Sequence, residues 1–158
     1  ILGFIGNNVP AVAPGKARLI FEALSKASSL GLIQAMHDCS EGGIGVSAAE
    51  MAFSGGLGME MFLAEVPYQA TSYKVCSLQP AALRDDFVLF SESNSRFIVE
   101  VEKKKQKAFE KILKGIPFGL AGCLFANKEF KIYGLDGKVC VKADIRTLKE
   151  AWQAPLRW

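Results

Sequence analysis

Hydrophobic and polar positions recur along this chain with two periods, and each change of period marks an element. Ala17, Ile20, Phe21, Leu24 and Ala27 fall at helical spacing, with Lys16, Glu22 and Lys26 on other faces. They predict a helix from about Pro14, whose fixed φ suits a first turn, to a stop at Gly31. Leu32 to Met36 is a short apolar run and predicts a buried strand. Ile44 to Phe53 returns to helix, where Ser47, Ala48, Ala49 and Ala52 are small enough for close packing on a sheet. Ser54-Gly55-Gly56-Leu57-Gly58 predicts a tight helix-to-strand turn, with phosphate contact as the alternative. Met59 to Leu63 predicts a strand that turns Glu60 away from Met59 and Met61.

Further on, Val66 to Gln79 has little periodicity. Pro80 to Phe90 begins as a helix and turns strand-like at Phe87-Val88-Leu89-Phe90, read, like Met51, Met59 and Met61, as core. Arg96 to Val101 is a strong strand pattern, Phe97, Val99 and Val101 alternating with Ile98 and Glu100. Glu102 to Lys114 predicts an amphipathic helix with Ala108 and Ile112 inward, and Phe109 and Leu113 as further inward candidates. Gly119 to Phe125 predicts a strand. Asp136-Gly137 between Phe130–Tyr133 and Val139–Val141 is a strong hairpin signal. Asp144 is placed to cap a last helix, Ile145 to Trp152. Residues 1–13 read as a linker or first strand from a preceding domain, and 14–158 as the domain proper. One antiparallel hairpin among alternating helices and strands predicts an α+β (α/β layered) fold, a mixed β-sheet packed with helices. The G-x-G-x-x-G signature in its βαβ context is missing, which argues against a doubly wound dinucleotide fold.

Composition changes this picture little. The chain has 158 residues, half of them hydrophobic, which excludes disorder and allows one real core. A net charge of +3 is too mild to argue for nucleic acid or a membrane surface. The run Lys103-Lys104-Lys105-Gln106-Lys107 reads as the solvated face of a helix. No apolar run reaches membrane-spanning length and no signal-peptide pattern is present, so a cytoplasmic setting is expected. Cys39, Cys76, Cys123 and Cys140 lack metal-ligand spacing and read as reduced thiols. Cys39 lies two residues from His37, the one histidine, so a Cys–His pair is kept as an alternative. The chain starts at Ile1, which reads as a fragment or a processed piece.

Candidate chemistry sits in two segments. His37-Asp38-Cys39-Ser40-Glu41-Gly42-Gly43 follows an apolar run and opens a helical one. Its glycines admit close backbone approach, and the unpaired amides of a helix start suit an anion such as phosphate. Ser40, Gly42 and Gly43 are therefore phosphate-binding candidates, and Asp38 and Glu41 are candidates to hold a metal or position a ligand. The competing reading makes Ser40 or Glu41 a helix cap and Asp38 a support of the turn. Ser91-Glu92-Ser93-Asn94-Ser95-Arg96 is the second segment. Arg96 suits a bidentate contact with carboxylate or phosphate, Glu92 is an acceptor, and Asn94 offers both donor and acceptor. The alternative is a polar turn bonded to its own backbone, with Arg96 paired to Asp38 or Glu92. Trp152 and Trp158 are assigned no chemistry.

Together these segments resemble the C-terminal domain of phosphoribosylformylglycinamidine synthases, the synthetase subunits of de novo purine biosynthesis, within the aminoimidazole ribonucleotide synthetase-like superfamily. The likeness runs through Gly3-Phe4-Ile5-Gly6-Asn7-Asn8-Val9-Pro10, Gly31-Leu32-Ile33, the turn at His37 to Gly43, and Ala49-Glu50-Met51-Ala52-Phe53. It continues in Phe90-Ser91-Glu92-Ser93-Asn94-Ser95-Arg96 and Leu148-Lys149-Glu150-Ala151-Trp152. The resemblance implies a partly ferredoxin-like fold and a part in ATP-dependent amidation of formylglycinamide ribonucleotide. It implies ATP and Mg2+ as cofactors, bound mainly by N-terminal ATP-binding domains of the same parent chain, and a glutaminase subunit or domain as the ammonia source. It makes Asp38 a magnesium ligand and Glu92, Ser93 and Asn94 substrate contacts; no catalytic residue is assigned, and the piece alone is expected not to turn over. Asn94 in place of Gln, and the Glu41 turn, are similar to the second of the family's two homologous copies, whose site is often auxiliary or structural. Two rivals stand beside this reading: another member of the superfamily such as an aminoimidazole ribonucleotide synthetase, and a non-catalytic docking or auxiliary-nucleotide module.

Overall fold

The computed structural model describes residues 11–67 and 81–157. The expected first strand at 1–5, the loop at 6–10, most of the weakly periodic stretch before residue 80, Cys76 and Trp158 lie outside the described residues. Helix α1 (Pro14–Ser29) begins on its proline and buries Ala17, Leu24 and Ala27 as the spacing predicts, with Ala23 beside them; Phe21, expected on that face, is half exposed and meets Phe97 edge-on. Gly31, at φ +63°, turns the chain out of it. Strand β1 (Ala35–Asp38) lies further along than the expected Leu32–Met36. Leu32 and Ile33 instead pack under α1, and Met36 is 45% exposed. Among the described residues β1 pairs only with β3, and its side chains alternate, Ala35 and His37 partly covered, Met36 and Asp38 exposed.

Helix α2 (Gly43–Gly55) buries Ile44, Ser47, Ala48 and Ala52 and ends on Gly56 at φ +67°. This is the tight helix-to-strand turn expected there. Strand β2 (Gly58–Phe62) follows, with Met59 and Met61 buried and Glu60 turned away from them. Helix α3 (Ala81–Phe90) continues through the stretch that looked like a strand. Val88 and Leu89 are buried, whereas Phe87 and Phe90 are about half exposed and are not core. Four consecutive apolar residues fit either period, and here only two face inward.

Strand β3 (Phe97–Glu100) pairs antiparallel with β1, His37 opposite Ile98 and Asp38 opposite Phe97. A 3₁₀ turn at Lys103–Lys105 and helix α4 (Gln106–Ile112) occupy the expected amphipathic segment. Phe109 and Leu113 are its inward residues; Ala108, expected inward, is exposed because Phe109 takes the position facing α1. Strand β4 (Gly122–Phe125) and the hairpin of β5 (Glu129–Tyr133) and β6 (Val139–Asp144) complete the sheet. Gly137 in the hairpin has φ +77°, the left-handed conformation the Asp-Gly signal predicts.

The main sheet has the order β4-β2-β5-β6, with β2 parallel to β5 and the outer pairs antiparallel, a mixed sheet as expected. One core lies between its inner face and helices α2, α3 and the last helix, α5 (Ile145–Gln153), around Phe130, Ile132, Leu63 and Ile145. Each such buried side chain contributes about 1.5–3 kcal/mol. A second core joins α1 and α4 through Leu24, Ala27, Phe109 and Leu113. Strand β3 stands between them: Ile98 packs on the first, and Phe97 and Val99 on the second.

Asp144 caps α5, accepting from the Arg146 backbone N–H at 2.8 Å. The Arg146 guanidinium, 2.7 and 2.9 Å from its two oxygens, and that backbone bond hold the carboxyl at a pKa of about 2. A carboxyl whose pKa is lower folded than unfolded adds stability above its unfolded pKa and loses it as pH falls through the folded one. An NMR titration should find the Asp144 midpoint near 2. In Arg146→Ala that midpoint should rise toward the ordinary carboxylate range, and an unmoved midpoint would refute the pairing.

Candidate functional site

The two candidate segments meet where β1 ends, α2 begins and α3 ends. Cross-strand partners share a face, so Met36, Asp38, Phe97 and Val99 lie on one side of the small sheet and His37 and Ile98 on the other. The cover over the first side leaves Asp38 exposed. Its carboxylate accepts from the Ser40 hydroxyl. Its main-chain carbonyl lies 2.9 Å from Ser47 Oγ, which is also 3.0 Å from the Gly43 carbonyl.

Gly42 and Gly43 adopt φ +73° and +66°. A side chain at Gly43 would come within 2.6 Å of the Leu89 carbonyl and 2.9 Å of the Ser91 carbonyl. The start of α2 thus touches the backbone at the end of α3, with no room for a Cβ. Directly beyond that contact, Glu92 Oε1 accepts from the Gly42 N–H at 2.9 Å. A carboxylate there lies at the positive end of the α2 dipole. Neither Ser40 nor Glu41 caps α2; its N-cap is Gly42, with no side-chain cap bond of its own.

Arg96 forms no ion pair with Asp38 or Glu92. Its guanidinium donates to the Val88 carbonyl at 3.2 Å and, more weakly, to that of Ser91 at 3.4 Å, carbonyls that the end of α3 leaves unpaired. Burial pushes its pKa down, partly offset by nearby Cys39. Ser93 Oγ is 2.7 Å from Ser91 Oγ. Ser95 holds φ +62°, a conformation costly for a residue with a Cβ, and sets the turn from Asn94 into β3. Glu92, Ser93, Asn94 and Arg96 line a broad open cleft together with His37 and Glu50, whereas Asp38, Ser40, Gly42 and Gly43 lie outside its wall.

Cys39 is 2% exposed. Burial pushes its thiol pKa up, with Arg96 pulling the other way, which opposes a reactive thiolate. His37 Nε2 lies 3.0 Å from Glu50 Oε2, and Nδ1 lies 2.6 Å from the Asp38 carbonyl, so the imidazole is engaged away from the thiol. Glu50 and Ser47 are the residues that sequence reasoning missed. Ser47 carried a signal: it is a hydroxyl on the buried face of an alanine-rich helix, where a polar group needs a partner.

Among the described residues no three His, Cys, Asp or Glu side chains gather as a metal cage. Magnesium keeps several waters and takes one or two carboxylates plus phosphate oxygens. Exposed Asp38 fits that role as a single ligand beside a phosphate, and the donor set does not fit a resident zinc or iron.

A family model described as AIR synthase related protein, C-terminal domain, matches residues 4–129. The chain belongs to this family. It is 30% identical over 155 residues to the phosphoribosylformylglycinamidine synthase subunit PurL of Deinococcus radiodurans, covering 98% of this chain and 19% of that protein. It is 35% identical over 128 residues to PurL of Alkaliphilus metalliredigens, covering 80% of this chain and 15% of the relative. The structure of T. maritima PurL complexed with FGAR superposes on it with a TM-score of 0.73 at 19% identity, over 92% of this chain and 23% of that one. That likeness establishes the fold. The chain spans about a fifth of the first of these relatives. Among the described residues no helix is long and apolar enough to cross a membrane.

The glycines make opposite predictions. Gly43→Ala should cost about 1–3 kcal/mol, since positive φ and the α3 backbone both oppose a Cβ. Gly55→Ala, in the last turn of α2 with open space around it, should be neutral or stabilising by up to about 1 kcal/mol. Urea unfolding of the two variants checks the sign of each.

Proposed function

We propose that this domain is the C-terminal synthetase domain of a phosphoribosylformylglycinamidine synthase, working in the cytoplasm in the ATP-dependent amidation of formylglycinamide ribonucleotide. The bond from Gly42 to Glu92 carries the reading, because it unites two segments fifty residues apart in one rim. The chain's likeness to PurL subunits supports it.

In this function, Asp38 contributes one carboxylate to magnesium, and Ser40 with the Gly42–Gly43 turn faces phosphate. Glu92, Ser93 and Asn94 present acceptors and donors to the ribonucleotide from the cleft wall. Arg96 acts by holding the end of α3, and so the loop that carries them. Magnesium-bound ATP supplies the phosphoryl group that turns the amide oxygen into a leaving group. N-terminal ATP-binding domains of a longer parent chain hold most of the nucleotide, and a glutaminase partner supplies ammonia.

One observation favours a second reading. The Glu92 carboxylate already occupies the amide of Gly42, where a phosphate oxygen would bond. In that reading the site is auxiliary, and the acidic rim shapes the domain. Asp38→Ala in the full-length synthetase separates the two. Its ammonia-dependent formation of formylglycinamidine ribonucleotide should fall at least about tenfold, the scale on which lost metal ligation acts. Unchanged turnover in a folded variant would leave the auxiliary reading.

A further inference from the structure

We propose that the trough between α1 and α4 is a docking site for an acidic amphipathic helix of a partner protein. It lies at the second core, and although Leu19, Gly115 and Ile116 also border the broad cleft, the amidation reading assigns none of its residues a role. The trough is shallow and open, with a volume of about 610 Å³. Its floor is apolar: Leu19, 58% exposed, and Ala23 from α1, with Ile112 and Ile116 from the other wall. Gly115, at φ +87°, reverses the chain after α4 and brings Ile116 into this floor.

Three lysines stand on the rim, Lys26 on one side and Lys111 and Lys114 on the other. Among the described residues none of the three has an ion-pair partner. The one carboxylate at the trough, Glu22, is engaged by Arg18 at 2.7 Å. Lysines in the last turn offset a helix dipole, which accounts for Lys26 and Lys111 singly. It does not account for both last turns meeting over one apolar trough, with Lys114 added.

An apolar floor between unpaired cations is complementary to a helix that carries aliphatic anchors at i, i+3, i+4 and i+7 with carboxylates on both flanks. Leu19 to Lys26 spans about 10 Å at 1.5 Å per residue, so the trough engages about two turns of the occupant. Single-stranded nucleic acid is less suited, because it needs aromatic platforms and the lining holds none.

A fluorescein-labelled peptide of about 16 residues, with Leu at those positions and Glu on the flanks, is the probe. Fluorescence anisotropy with the whole chain should show saturable binding. Binding should weaken at least tenfold with the doubly substituted Lys111→Glu, Lys114→Glu protein and with Leu19→Asp, while Lys104→Glu, outside the trough, should leave it unchanged. A scrambled peptide of the same composition should bind at least tenfold more weakly. Should charge reversal lower the melting temperature, Lys111→Gln with Lys114→Gln replaces it. Equal binding of the scrambled peptide, no binding, or binding indifferent to these substitutions overturns the proposal. So does a result in which oligouridine or phosphatidylserine vesicles bind through these lysines and the peptide does not.

Discussion

The contact at Gly43 is the constraint on which the rest of the site depends. There the first residue of α2 lies against the carbonyls of Leu89 and Ser91, at a distance no side chain allows. The positive end of one helix thereby meets the negative end of another, a favourable pairing of dipoles. Arg96 strengthens it by donating to the Val88 carbonyl. With the two helix ends fixed, the residues that follow each of them have little choice of place. Glu92 comes to the Gly42 amide, and Ser47 comes to the carbonyl of Asp38. The acidic rim is therefore a product of backbone packing first and of side-chain chemistry second.

The small β1–β3 sheet translates that packing into an open site. Its register puts His37 and Asp38 on opposite faces. His37 is tied to Glu50 on the α2 side, while the other face leaves Asp38 to solvent. Strand β3 needs apolar residues on both faces because it separates two cores, which is why Phe97, Ile98 and Val99 are consecutive. The two neighbouring side chains are thereby held differently, one tethered and one open to solvent.

Much of this was legible in the chain. Pro14, Gly31, Asp136-Gly137 and Asp144 each mark a boundary through local backbone chemistry, and the structure follows all four. The mixed sheet followed from the hairpin among alternating elements. What was not legible depends on tertiary partners. Phe87 to Phe90 fits two periods, and only the place of α3 against Gly43 selects the helix. Met36 is apolar yet exposed, since nothing in its own segment shows which face of β1 the rest of the fold covers. Arg96 looked like a ligand-binding guanidinium, and no local pattern shows the carbonyls it serves. Glu50 carries no local signal, and its link to His37 arises only when α2 folds over β1.

The order of the main sheet bears on how the molecule comes into being. Strand β2 lies at its middle, with Met59 opposite Leu124 on one side and Phe130 on the other. Both neighbours are made long after it. A nascent chain emerging from the ribosome therefore carries the methionines of β2 without β4 and β5 beside them until Gly122 to Tyr133 has been synthesised. Contacts so remote in sequence are slow to close, and an apolar strand waiting for them is prone to wrong associations. Truncations that stop before Gly122 leave that strand permanently unmatched, so expression limits for this fold belong beyond the hairpin, after α5.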